Sequence, residues 1–134
     1  MFAPYKSHAN VYSNVHAETS VQSADPHRLI GLLLDGAISA IASAINAMER
    51  GDIAAKGRAI SRAVGIVDEG LRCALDLQSG GQVAVTLNDL YSCVLMRLIQ
   101  ANLHNDSARL RECTELLAPL RDAWNAIKPQ PMAA

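Results

Sequence analysis

Four long stretches of this chain repeat apolar residues at intervals of three and four, the spacing that lines side chains up on one face of an α-helix. The first predicted helix covers about 25–50. Asp25 is suited to cap its free first-turn amides, Pro26 fits the first helical position, and Gly51 can take the left-handed conformation that closes it. Ile30, Leu34, Ala37, Ile38, Ile41, Ile45 and Met48 form its core stripe. Leu29, Leu33, Gly36, Ala40 and Ala47 form a second stripe beside it, so apolar and small side chains cover more circumference than one seam requires. Either this helix sits among several neighbours, or part of its surface is kept for a partner.

The same double pattern recurs over about 53–77, with Asp52 as its cap. Ile60, Val64, Val67, Leu71, Ala74 and Leu75 mark the core face, and Ala59, Ala63, Ile66, Gly70, Cys73 and Leu77 flank it. Gly57, Gly65 and Gly70 each cost about 1 kcal/mol relative to alanine inside a helix, which suggests close helix approach or bending. Lys56, Arg58, Arg62 and Arg72 read as a solvated basic face interrupted by Asp68 and Glu69. Ser79-Gly80-Gly81 is a connection, followed by a third helix over about 83–103. Leu87, Leu90, Tyr91, Val94, Leu98 and Ala101 face inward there, with Leu95, Ile99 and Asn102 at the edge. Asn105 and Asp106 introduce a fourth helix over about 107–127, with Leu110, Cys113, Leu117, Leu120 and Trp124 inward and Leu116 alongside. Pro119 removes one helical hydrogen bond and predicts a kink near Glu115.

Residues 1–24 show no sustained period and read as a partly ordered N-terminal arm, flexible or with a short helix, and 129–134 as a disordered tail. Phe2, Tyr5 and Tyr12 are three of only five aromatics in the chain, so the arm can gain by laying them, with Val15, on an apolar surface. Short connections between long helices favour antiparallel neighbours. The expected fold is all-α, an antiparallel up-down four-helix bundle over 25–128.

Composition narrows the function. Half of the residues are hydrophobic and few are aromatic, which suits close-packed aliphatic helices, and 134 residues make one domain able to bury its own core. A net charge of −1 offers no broad attraction to phosphate, so neither nucleic acid nor an anionic membrane is expected as a partner. Asp35 interrupts the longest apolar helix well short of the ~18 unbroken residues of a membrane span, and the N-terminus lacks the pattern of a signal peptide, which predicts a cytoplasmic protein with no membrane insertion. Cys73, Cys93 and Cys113 form no CxxC pair and read as buried small hydrophobes in a reducing compartment. No HExxH, phosphate loop or GxSxG occurs, and no His follows a Glu at the spacing of a di-iron bundle. His8, His16, His27 and His104 are scattered and read as surface residues. No enzyme, cofactor or metal is expected. What remains is a binding protein with extra apolar surface, or a constitutive homodimer that buries that surface on itself.

Several ordered segments carry a family resemblance. Ala24-Asp25-Pro26-x-x-Leu29-Ile30-x-Leu32-Leu33-Leu34-Asp35-Gly36-Ala37-Ile38 resembles the first-helix signature of the flagellar secretion chaperone FliS family. The similarity continues through Ile60-x-x-Ala63-x-x-Ile66-Val67, Leu75-Asp76, Gly80-Gly81-Gln82-Val83-Ala84 and Leu90-Tyr91. It closes with Arg97-Leu98-x-x-Ala101-Asn102-x-x-Asn105-Asp106 and Leu120-Arg121-x-Ala123-Trp124, so it spans Tyr12 to Trp124. Leu34, Gln82 and Thr86 stand where the family commonly has tyrosine, glutamate and asparagine, and Pro119 lies outside its pattern. The resemblance implies a cytosolic chaperone that binds the C-terminal segment of flagellin, prevents premature polymerisation and assists type III export. The flagellar export apparatus and regulatory proteins are further candidate partners. A disordered segment that folds on an apolar surface remains releasable because ordering it costs entropy. The residues expected to form the groove or to meet the arm are Tyr12, Val15, Leu29, Leu33, Ile66, Gly70, Leu77, Leu95, Ile99 and Leu116.

Overall fold

A computed structural model describes residues 25–127. The expected arm and tail, with Tyr12 and Val15, lie outside the described residues. Four α-helices occupy the described chain, with no strand among the described residues: α1 (Pro26–Glu49), α2 (Ile53–Gly65), α3 (Gly81–His104) and α4 (Ser107–Ala126). A π-helical segment, Ile66–Arg72, continues directly from α2.

Local chemistry sets most of these boundaries. The Asp25 carboxylate accepts from the amides of His27 (3.0 Å) and Arg28 (3.3 Å), with Pro26 in the first turn. Gly51 turns the chain at φ +71°, and Asp52 then accepts from the Ala55 amide at 3.0 Å to start α2. Asn105, left-handed at φ 52°, closes α3 by donating its amide to the Ala101 carbonyl, and Asp106 caps α4 through Ala108. These are the capping roles that short polar side chains and left-handed residues fill.

The second helix departs from expectation. The α-helix stops at Gly65, the wider π turn carries the chain to Arg72, and 73–80 form a turn rather than more helix. Asp76 holds the turn that follows, since its carboxylate accepts from the amides of Gln78 (3.1 Å) and Ser79 (3.0 Å) and from the Ser79 hydroxyl. Such local bonds compete with helical ones. Ala74, expected in the core, lies past the end of the helical run and is exposed. Of the two expected uses, close approach or bending, Gly57 does not serve close approach, with open space around it, whereas Gly70 lies directly against the Leu33 side chain. Helix α4 runs unbroken through Pro119, which is exposed.

The core answers the question raised by the two stripes of α1. Leu33, Leu34, Ala37, Ala40, Ile41, Ala44 and Ala47 are all buried, because α1 packs against α2, the π segment and α4 together. By length and composition α1 could also cross a bilayer; here its apolar side chains fill the protein interior instead. Helix α3 adds Tyr91, Val94, Leu98 and Ala101, and α4 adds Leu110, Cys113 and Leu117. At one end the Trp124 indole N–H donates to the His27 carbonyl at 2.8 Å, and the two rings stack with centroids 4.6 Å apart. His27 is thus a half-buried packing residue, not a free surface one.

Candidate functional site

A stripe of apolar side chains that the core does not use runs along α3. Met96, Ile99 and Leu103 are exposed and recur at i, i+3 and i+7, which puts them on one face. Val85 lies on the same face about three turns before Met96. Leu95 borders the stripe, half-buried against the core. Leu77 and Val83, around the 73–80 turn, and Ile127, after α4, are exposed as well. Scattered single apolar residues are ordinary on a protein surface, but a helically spaced series is the pattern that receives another helix.

At the end of the stripe lies a cavity of about 360 Å³, lined by residues of α1, the turn after it, α2, the end of α3 and Asn105. Ile53 and Leu103 stand on its rim, and Lys56 and Asn105 lie within its lining. Lys56 was expected on a solvated face, yet it is the buried charged residue of the described chain, with Nζ donating to the Asn102 carbonyl (3.2 Å) and to Asn105 Oδ1 (3.1 Å). The reason is its register: Lys56, Ile60, Ala63 and Val67 fall on one helical face, and the last three are core. Its aliphatic stem packs inward while its head ties α2 to the end of α3. A second cavity of about 360 Å³ lies between the start of α1 and the end of α4, beside His27, Gly31, Asp35 and Asn125.

The expected groove residues separate into distinct environments. Leu33, Ile66 and Gly70 are buried, Leu33 against Gly70 and Ile66 beside Gly36, so they build the core instead of lining an open groove. Sequence periodicity could not tell a second core seam from a partner seam. Leu29 is half-buried against the core, and Leu77 and Ile99 are exposed. Leu116 shares a flank of α4 with Arg109 and Glu112, which reach Gln100 and Arg97 of α3. Leu95 lies on the other side of α3, so Leu95 and Leu116 do not line one groove. Met96, Leu103 and Ile53 were not anticipated. Their signal was present in the i, i+3, i+7 spacing of Met96, Ile99 and Leu103, offset from the core set Tyr91, Val94, Leu98.

Among the described residues no three His, Cys, Asp or Glu side chains gather to hold a metal ion. Burial pushes both the Tyr91 hydroxyl and the Cys113 thiol up to about 12, so both stay protonated at neutral pH. Cys113 donates to the Val94 carbonyl at 3.7 Å inside the core, while Cys93 is half-buried and Cys73 exposed, so only one cysteine has the environment expected for all three.

The family model described as flagellar protein FliS matches residues 8–131. The chain is 44% identical over 119 residues to the flagellar secretion chaperone FliS of Salmonella typhimurium, covering 89% of this chain and 88% of that protein. It is 43% identical over 116 residues to FliSB of Pseudomonas aeruginosa, covering 87% and 91%. Over 113 residues it is 36% identical to FliS of Escherichia coli, covering 84% and 83%. These relatives are flagellar secretion chaperones by name, and the family is one of chaperones, not of enzymes. The chain belongs to the FliS family of flagellar secretion chaperones.

Proposed function

We propose that this protein captures the C-terminal segment of flagellin in the cytosol, keeps it from polymerising and hands it to the type III export machinery. The observation that carries this reading is the exposed stripe Met96, Ile99 and Leu103 on a member of a secretion-chaperone family. An unfolded tail with aliphatic residues at matching spacing buries them there as it becomes helical. Fully burying each large aliphatic side chain contributes about 1.5–3 kcal/mol. Leu95 and Leu77 extend the surface, and an arm carrying Tyr12 and Val15 would cover part of it before flagellin arrives. An antiparallel up-down order of the helices belongs to the same reading.

The test is calorimetric titration of the protein with a flagellin C-terminal peptide. Ile99→Asp and Leu103→Asp should each weaken binding at least about tenfold, since a charge is then desolvated in an apolar contact, while helicity stays that of the parent. Unchanged affinity in both folded variants would remove the stripe from the binding surface. The alternative, a constitutive homodimer, is favoured if light scattering finds a dimer that persists when the peptide is saturating.

A further inference from the structure

The buried Lys56 has a feature that packing alone does not explain. An ammonium has three donors, and two are taken by the neutral acceptors Asn102 O and Asn105 Oδ1. Among the described residues no carboxylate lies within ion-pair distance of it. Asp52, the carboxylate in the cavity lining, is already engaged, with Oδ1 accepting from the Ala55 amide and Oδ2 3.6 Å from Arg50. A side chain only 7% exposed with an unpaired positive charge is unusual, because buried charges are normally paired. It borders a cavity of about 360 Å³, within the size range of ligand pockets, and the flanking Ile53 and Leu103 are 74% and 75% exposed.

We propose that this cavity receives an acidic side chain from a helical partner segment, the Asp or Glu carboxylate completing the ion pair with Lys56 while neighbouring aliphatic residues cover Ile53 and Leu103. Leu103 belongs both to the cavity rim and to the stripe, so a helix lying on Met96, Ile99 and Leu103 brings its next turn to the cavity. The inference rests on the reading of that stripe as a docking face. It adds that the captured segment is chosen by an aliphatic run followed by a carboxylate, with Lys56 fixing its register.

Sodium 4-methylpentanoate, a carboxylate beside an aliphatic group, is the first probe, and its neutral isostere 4-methylpentanamide is the control. Both are titrated into the full-length ¹⁵N-labelled protein. The acid should shift the amides of Lys56, Asn102 and Asn105 saturably, with the amide at least about tenfold weaker. Lys56→Met should remove that difference and Lys56→Arg should keep it. Equal responses to acid and amide, or no saturable shift, overturn the proposal even if Lys56→Met fails to fold. The second arm measures flagellin C-terminal peptide binding, where Lys56→Met should weaken affinity about tenfold with the fold retained. If the peptide binds both proteins equally, the pocket has no part in capturing it and the proposal falls. If the peptide does not bind at all while 4-methylpentanoate saturates, the flagellin reading falls and the pocket stands. If Lys56→Met instead dissociates a dimer in sedimentation, the occupant is a second copy and the proposal is overturned.

Discussion

A β-carbon built on Gly70 would sit 3.1 and 3.3 Å from the two methyl groups of Leu33, a side chain itself 1% exposed and unable to move aside freely. Gly57, in the preceding helix, has nothing within 4 Å of the same point. The two glycines look alike in sequence and should respond oppositely to alanine. Gly70→Ala should destabilise by about 1–3 kcal/mol through overpacking, whereas Gly57→Ala should stabilise by about 0.5–1 kcal/mol through helix propensity. Urea unfolding followed by circular dichroism measures both, and a stabilising Gly70→Ala would contradict the tight contact. Lys56 makes a related point. Its burial could have been read from its register with Ile60 and Ala63, but its two acceptors come from residues more than forty positions later, which no local pattern supplies.

Among the elements, the 73–80 turn and α4 show how single side chains outweigh periodicity. Hydrogen bonds from the Ser79 hydroxyl, the Ser79 amide and the Gln78 amide hold the Asp76 carboxyl below its ordinary value. A carboxylate whose pKa is lowered in the folded state stabilises the turn above its unfolded value of about 3.9, and that contribution disappears as pH falls through the depressed value. In an acid titration by NMR, the Ser79 amide resonance should therefore stay in place to pH values below the ordinary Asp range and then move with loss of protection. A midpoint at or above the ordinary value would rule this out. In α4, Pro119 leaves the Glu115 carbonyl without its helical donor, yet the helix is continuous and the proline faces solvent. The helix stays continuous there because Leu117, Leu120 and Trp124 pack on the same core on both sides of the proline. Pro119→Ala should accordingly raise stability by about 1–3 kcal/mol, read as a higher midpoint in thermal unfolding, with no change in helix count.

For the whole molecule, the division between buried core and exposed apolar surface predicts two classes of substitution. Ile41 is fully buried at the centre of α1, so Ile41→Ala should cost about 2–5 kcal/mol. Ile99 is 59% exposed, and Ile99→Ala should change stability by no more than about 0.5 kcal/mol. Chemical denaturation of the two variants checks the contrast, and a large loss in Ile99→Ala would place that residue in the core. The all-helical class, the caps at Asp25, Asp52 and Asp106, the turn at Gly51 and the FliS pattern were legible in the chain. Each depends on interactions within a few residues, or on a spacing that survives in any context. Which apolar stripe is buried was not legible, because a helix with two stripes presents the same pattern whether the second meets another helix or solvent. Tertiary packing decided it: the neighbours of α1 cover both of its stripes and take Leu33, Ile66 and Gly70 into the core, while those of α3 leave Met96, Ile99 and Leu103 exposed.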